Sequence, residues 1–240
     1  MRLITASVAM LALGGALATN TASAGNAYGV AYVGLRSSYV WTDDGETRSN
    51  PATGLYDYDE TYEDGYAAGV EIGWVIANDF RLGLEGEFRH ADLSGVTIVR
   101  DDSLAPVLPL LPPPPYPVGT VVNAGGDAQI GSAMVNLFYD FNMIDPTFVP
   151  FIGAGLGGAY IDYAIDDPNS TVSFQGKDTT WAFAYQFMAG VAFPIADGMT
   201  MSVGYKYFRT QDFTYVNSFS ESMQTNITQQ SVDVALLFTL

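Results

Sequence analysis

The strongest constraint on this chain is an alternation of period two that repeats along most of its length. In 65–76, Tyr66, Ala68, Val70, Ile72, Trp74 and Ile76 fall on one face, while Ala67, Gly69, Glu71, Gly73 and Val75 fall on the other. The next run sets Phe80, Leu82, Leu84, Gly86 and Phe88 against Arg81, Gly83, Glu85, Glu87 and Arg89. A helix has a period of 3.6 and cannot sort residues this way, whereas a β-strand sends successive side chains to opposite faces. Trp181 to Phe193 and Ser231 to Leu240 repeat the pattern.

The alternation predicts eight strands, at 28–41, 65–76, 80–91, 128–141, 148–162, 180–193, 199–209 and 226–240. The links between them fall into two sets. Those at 77–79, 142–147 and 194–198 are short and turn-like, and those at 42–64, 92–127, 163–179 and 210–225 are long. A soluble β-sandwich or lipocalin-like barrel turns its greasy face inward. Here the greasy face is nearly unbroken Leu, Val, Ile and aromatic, and the other holds Gly, Ala, Ser and scattered charges, which suits lipid outside and a narrow interior inside. A strand structure in lipid must close on itself so that no backbone group is left unpaired. The expected fold is therefore all-β, an eight-stranded antiparallel transmembrane β-barrel of up-and-down order with short periplasmic turns and long extracellular loops. Tyr39, Trp41, Tyr66, Trp74, Phe80, Phe88, Tyr139, Phe141, Tyr160, Trp181, Phe193 and Tyr207 fall mostly near the ends of these strands, where interfacial aromatic girdles belong.

Composition narrows the functions. Nine basic against 26 acidic residues, a net charge of −17, argue against a nucleic-acid partner, which would be recognised through its phosphates. The absence of cysteine excludes a disulfide scaffold. Arg2, the apolar run Leu3 to Leu17 and Ala22-Ser23-Ala24 read as a secretory signal peptide cleaved after Ala24. The domain plan is thus a signal at 1–24 and a barrel at 25–240, exported to the cell outer membrane.

Three stretches, Ser132-Ala-Met-Val-Asn-Leu-Phe-Tyr-Asp-Phe141, Val149-Pro-Phe-Ile-Gly-Ala-Gly-Leu-Gly157 and Phe183-Ala-Tyr-Gln-Phe-Met-Ala-Gly-Val-Ala-Phe193, together with Val203-Gly-Tyr-Lys-Tyr-Phe208, resemble the small outer-membrane β-barrels of Gram-negative surface antigens. These are the Opa-like, twenty-five-kilodalton antigens, related in fold to the OmpA transmembrane domain. The resemblance covers essentially all of 28–240. It implies insertion by the outer-membrane assembly machinery through the C-terminal strand, variable surface loops and no enzymatic activity or cofactor. Family members usually end in Phe; this chain ends in Leu240, with Phe238 two places earlier. The implied surroundings are outer-membrane lipid and lipopolysaccharide, with an extracellular protein as a candidate partner of the loops and the barrel itself a monomer.

On the inward face the alternation places Arg36, Glu71, Arg81, Glu85, Glu87, Arg89, Asp140, Lys206 and Asp233. Charges in a narrow barrel must be paired or hydrated. The short turn at 77–79 sets Glu71 level with Glu85, two carboxylates that call for a cation from Arg36, Arg89 or Lys206. Because eight strands leave an interior just wide enough for side chains, the expected role of this network is a static plug. The competing reading is a narrow porin-like channel for small solutes or ions. A third is a lipid-modifying enzyme built on His90, the only histidine, with Asp92 and Ser94. No metal motif is present, and the acidic run Asp43, Asp44, Glu46, Asp57, Asp59, Glu60, Glu63 and Asp64 reads as solvated charge without EF-hand spacing. Within 92–127, Ala105 to Pro117 holds four consecutive prolines, 112–115, and predicts a stiff polyproline rod.

Overall fold

The computed structural model describes residues 29–49, 56–77, 79–101, 118–122, 125–142, 147–166, 176–216 and 222–240. The signal segment with Ala24 and the proline-rich stretch lie outside these. Among the described residues thirteen strands form one antiparallel system: β1 (Ala31–Thr42), β2 (Gly45–Ser49), β3 (Tyr56–Tyr62), β4 (Gly65–Ala77), β5 (Phe80–Asp101), β6 (Val121–Val122), β7 (Gly125–Asp140), β8 (Val149–Asp166), β9 (Gly176–Ala196), β10 (Met199–Thr210), β11 (Phe213–Val216), β12 (Ser222–Thr225) and β13 (Thr228–Thr239).

Eight of these close a ring in the order β1, β4, β5, β7, β8, β9, β10, β13, with β13 paired back onto β1 from Tyr32↔Thr239 to Thr42↔Gln229. The ring corresponds to the eight strands that the alternation marks out. One end is finished by short turns. Asp197 and Gly198 join β9 to β10 in two residues, and Gly198 has φ +71°, the left-handed conformation that a glycine adopts without penalty. At the same end, Leu240 N donates to Ala31 O (2.9 Å), and Gly29 N donates to Val75 O (2.9 Å).

Strand length separates two kinds of wall. A tilted strand crosses a bilayer in roughly 9–11 residues. Strands β1, β4, β10 and β13, of 12 or 13 residues, do little more than that. Strands β5, β7, β8 and β9 have 22, 16, 18 and 21 residues and rise well past the membrane on the side away from the short turns. There the hairpins β2–β3 and β11–β12 take the places that the short strands vacate. β3 continues along β5, from Tyr62↔Leu93 to Tyr56↔Asp101, where β4 ends at Tyr66↔His90. β12 joins β2 at Met223↔Ser49, and β11 lies beside the upper part of β9, with Gln211 N donating to Phe183 O (2.7 Å).

The molecule is therefore a barrel of two storeys whose polarity is reversed between them. In the lower storey Leu84, Val135, Leu156 and Phe187 face outward and are exposed, while Glu85, Asn136 and Gln186 face inward and are buried. Above His90 on β5, Gln129 on β7 and Tyr160 on β8, the same strands send Asp92, Asp127 and Asp162 outward and Leu93, Ala128, Ile161 and Tyr163 inward. The upper interior is an apolar core of Leu93, Ile98, Ile130, Ile161, Phe213 and Met223, closed off by tyrosines. The lower storey has the small and polar lumen expected of the ring strands, and the apolar core above it lies mostly beyond their expected ends. The structure corrects the reading of 42–64 and 210–225 as long loops, since most of both segments is strand. Polarity reverses because the upper storey stands in water, where burial of apolar surface drives folding, whereas the lower one is solvated by lipid.

The outward aromatics fall at two levels of the lower storey. Near the short turns, Phe80 packs on Tyr139 (5.0 Å between ring centroids), Tyr139 on Phe141 (4.9 Å) and Phe148 on Phe193 (5.7 Å). At the junction of the storeys, Tyr160 packs on Trp181 (5.3 Å), Tyr66 on His90 (5.4 Å) and Trp41 on Tyr205 (6.3 Å). Tyr139 pairs with Ile152, and from Ile152 to Tyr160 is ~27 Å along the strand. At a tilt of ~40° that corresponds to roughly 20 Å of membrane thickness, close to the apolar band of such barrels.

Candidate functional site

All nine inward charges of the sequence analysis lie inside the lower storey, and each is within ion-pair distance of another. They form a separate bottom pair and a central cluster. At the bottom, Arg81 is held by Asp140 through Nε (2.6 Å) and Nη2 (2.8 Å). This bidentate pair crosses from β5 to β7, and the guanidinium stacks over Phe138 at 4.7 Å, with Tyr32 at 5.5 Å and Phe151 at 5.8 Å. Three aromatic rings around one planar cation leave the periplasmic mouth closed.

Above it, Glu71 and Glu85 are direct register partners on β4 and β5. Arg36 from β1 bridges them, at 3.2 Å from Glu71 Oε2 and 2.6 Å from Glu85 Oε2, with Asp233 of β13 at 3.7 Å. Lys206 of β10 reaches Glu87 (2.7 Å), Glu85 (3.2 Å) and Asp233 (3.5 Å). Arg89 does not join the Glu71–Glu85 pair; its partner is Glu87 at 2.5 Å, and its guanidinium lies 4.2 Å from the centre of the Phe208 ring. The reason is position along the strand. Arg89 stands four residues above Glu85 on the same face, at the level where the apolar core begins. Glu87, Arg89 and Lys206 have side chains with no solvent exposure at all.

Neutral side chains complete the plug. Tyr32 Oη donates to Glu71 Oε1 (2.6 Å), Gln186 Nε2 donates to Glu85 Oε1 (3.0 Å) and to Asn136 Oδ1 (2.8 Å), and Asn136 Nδ2 donates to Glu85 Oε2 (3.3 Å). Reading the sequence for charge alone passes over Tyr32, Asn136 and Gln186. The signal that finds them is their place on the same inward alternation. Room for these long groups comes from glycines opposite: a Cβ at Gly155 would lie 2.0 Å from Asn136 Oδ1. A cavity of about 20 Å³ remains between Arg36, Asp233, Ser202, Met188 and Phe151, enough for about one water.

The other sequence-marked residues are placed differently. His90 faces outward at the storey junction, its Nε2 3.3 Å from Asp92 Oδ1. Ser94 Oγ donates to Thr61 O (3.1 Å). Of the acidic run, Asp57 and Glu60 are buried, not solvated. No group of three or more His, Asp or Glu among the described residues is arranged to hold a metal ion.

Comparison with known proteins agrees with this architecture. An uncharacterized protein of Brucella abortus is 28% identical over 166 residues, which cover 64% of this chain and 55% of that protein, so the chain spans about half the length of the curated relatives it matches. The crystal structure of the outer membrane protein OprG from Pseudomonas aeruginosa superimposes with a TM-score of 0.54 at 12% identity, covering 90% of this chain and 98% of that one. The solid-state NMR structure of the outer membrane protein AlkL in lipid bilayers gives 0.50 at 15% identity, covering 92% and 95%. At such identities these two show the fold alone. Residues 7–236 match the outer membrane protein beta-barrel domain, and the chain belongs to that family of the cell outer membrane.

Proposed function

We propose that this protein is a sealed, non-conducting barrel that displays its upper storey at the cell surface, with a structural and adhesive role and no catalysis. The observation that carries this reading is the stacking of three closures along the barrel axis: the Arg81–Asp140 clamp, the ion-pair layer around Glu85, and the apolar core above Arg89. An ion would have to break all three, and the uppermost is lined mostly by apolar side chains. The extended strands and two hairpins place a water-facing wall outside the membrane, which suits contact with an extracellular protein and with the surrounding lipopolysaccharide. A lipid-modifying role finds little support, because the hydroxyl of Ser94 is engaged by a backbone carbonyl and His90 meets Asp92 and the ring of Tyr66.

The competing reading, a narrow channel, is tested in a planar bilayer. The folded barrel is expected to be silent at moderate voltage. Steady discrete openings that change when Glu85 or Arg89 is neutralised would refute the sealed barrel and make the ion-pair layer a gate.

A further inference from the structure

Among the described residues, the upper storey contains one carboxylate with no exposed surface. This is Glu60 of β3, which points into the apolar core. Its oxygens accept from Thr47 Oγ1 of β2 (2.5 Å) and from Tyr62 Oη of its own strand (2.5 Å). Around it stand Tyr58, hydrogen-bonded to Tyr215 of β11, and Tyr163 of β8, whose hydroxyl is buried without a partner in bonding geometry. Tyr163 and Tyr215 are in ring contact at 5.1 Å. One carboxyl group thus sits where both hairpins meet the barrel wall.

The groups facing it are of three kinds. The titratable ones are Tyr58 and Tyr62 on β3, Tyr163 on β8 and Tyr215 on β11, all phenols pushed well above their ordinary value by burial and by Glu60 itself, so they stay neutral donors. Asp59, next along β3, adds a like charge. The remaining neighbours, Leu93, Val96 and Ile98 of β5 and Met223 of β12, are apolar. Among the described residues no Lys or Arg pairs with Glu60, in contrast to the carboxylates of the lower storey. Hydroxyl donors without a cation are a poor exchange for water around a carboxylate.

We propose that Glu60 and its tyrosines form an acid-closed latch, which binds hairpin β2–β3 to β8 and to hairpin β11–β12 when the carboxyl is protonated and releases it when the carboxyl ionises. Burial raises Glu60 above the ordinary carboxylate value, and the hydroxyls of Thr47 and Tyr62 offset this only in part. A carboxyl whose folded-state pKa is raised stabilises the closed form fully below its unfolded value, and that contribution fades as pH rises through the folded value. The upper storey is therefore tightest in mild acid and loosens toward alkaline pH, while the ring of eight strands stays closed.

Hydrogen exchange of the folded protein in nanodiscs, corrected for the intrinsic rate at each pH, tests this. Protection of peptides from 45–62 is expected to fall on the order of tenfold between pH 5 and pH 8, while peptides from β1 and β13 hold theirs. Glu60→Gln should keep the acid level of protection at every pH. Equal protection of the unaltered protein across the range, or the same fall in Glu60→Gln, would overturn the latch. Should Glu60→Gln fail to fold, Tyr62→Phe removes a hydroxyl that donates to the carboxyl, and the midpoint should move to higher pH; an unmoved midpoint would equally overturn it.

Discussion

Lys206 has a side chain without solvent exposure and three carboxylates within 3.5 Å. The central cluster to which it belongs has four carboxylates, Glu71, Glu85, Glu87 and Asp233, against three cations, Arg36, Arg89 and Lys206. This count makes the two sides unequal under mutation. Lys206→Met leaves two uncompensated negative charges and is expected to cost ~3–5 kcal/mol, the range for removing one partner of a buried pair. Glu85→Gln balances the cluster and loses only part of its hydrogen bonding, so it should cost less. Urea unfolding in detergent, followed by the change in gel mobility between folded and boiled barrel, ranks the two. A Glu85→Gln protein less stable than Lys206→Met would show that hydrogen-bond geometry, not charge balance, governs the layer. All members of this cluster are legible from period two, because a strand fixes side-chain direction before any tertiary contact is known. Their pairing is only partly legible: the Glu71–Glu85 level follows from a short turn and the Glu87–Arg89 contact from their spacing on one strand, whereas the meeting of Lys206 on β10 with Glu87 on β5 depends on the tilt of strands from opposite sides of the ring.

Elements show where the sequence signal weakens. The eight ring strands are marked by long apolar faces, but β2 and β3 carry Gly-Glu-Thr-Arg-Ser and Tyr-Asp-Tyr-Asp-Glu-Thr-Tyr, which read as polar loop. A trace of alternation survives in Tyr58, Glu60 and Tyr62, three inward positions of which one is a carboxyl, and in Phe213 and Tyr215 on β11. Short strands with a tyrosine face fall below the pattern that lipid imposes on longer ones. Because the eight-strand ring closes without β2 and β3, replacing 45–62 by a short turn is expected to leave the heat-dependent gel shift intact. The same variant should bind an apolar fluorescent dye more strongly, as Leu93, Ile98 and Ile161 lose their cover. Loss of the gel shift would mean that the hairpin is needed to close the ring.

At the scale of the whole molecule, the two aromatic levels fix how deep the barrel sits. Trp74 belongs to the periplasmic level, and Trp41 and Trp181 belong to the outer one. Bromine placed near the lipid headgroups should therefore quench tryptophan emission more than bromine placed near the chain ends. Stronger quenching by the deep label would put the membrane across a different part of the wall. Strands β5, β7, β8 and β9 pass through both levels without a break in their pairing, from Phe80↔Tyr139 to Asp92↔Asp127 in one pair and from Asp140↔Phe151 to Gly125↔Asp166 in the next. The continuity of this ribbon bears on the order of events during biogenesis. Its neighbouring strands are close in sequence and can zip early, whereas β1 and β13, at opposite ends of the chain, join at the greatest cost in loop entropy. The upper storey can exclude water from its core only after both of its hairpins have reached the outer side of the bilayer. Its core is thus completed on the far side of the membrane, with the continuous four-strand ribbon as the template on which it condenses.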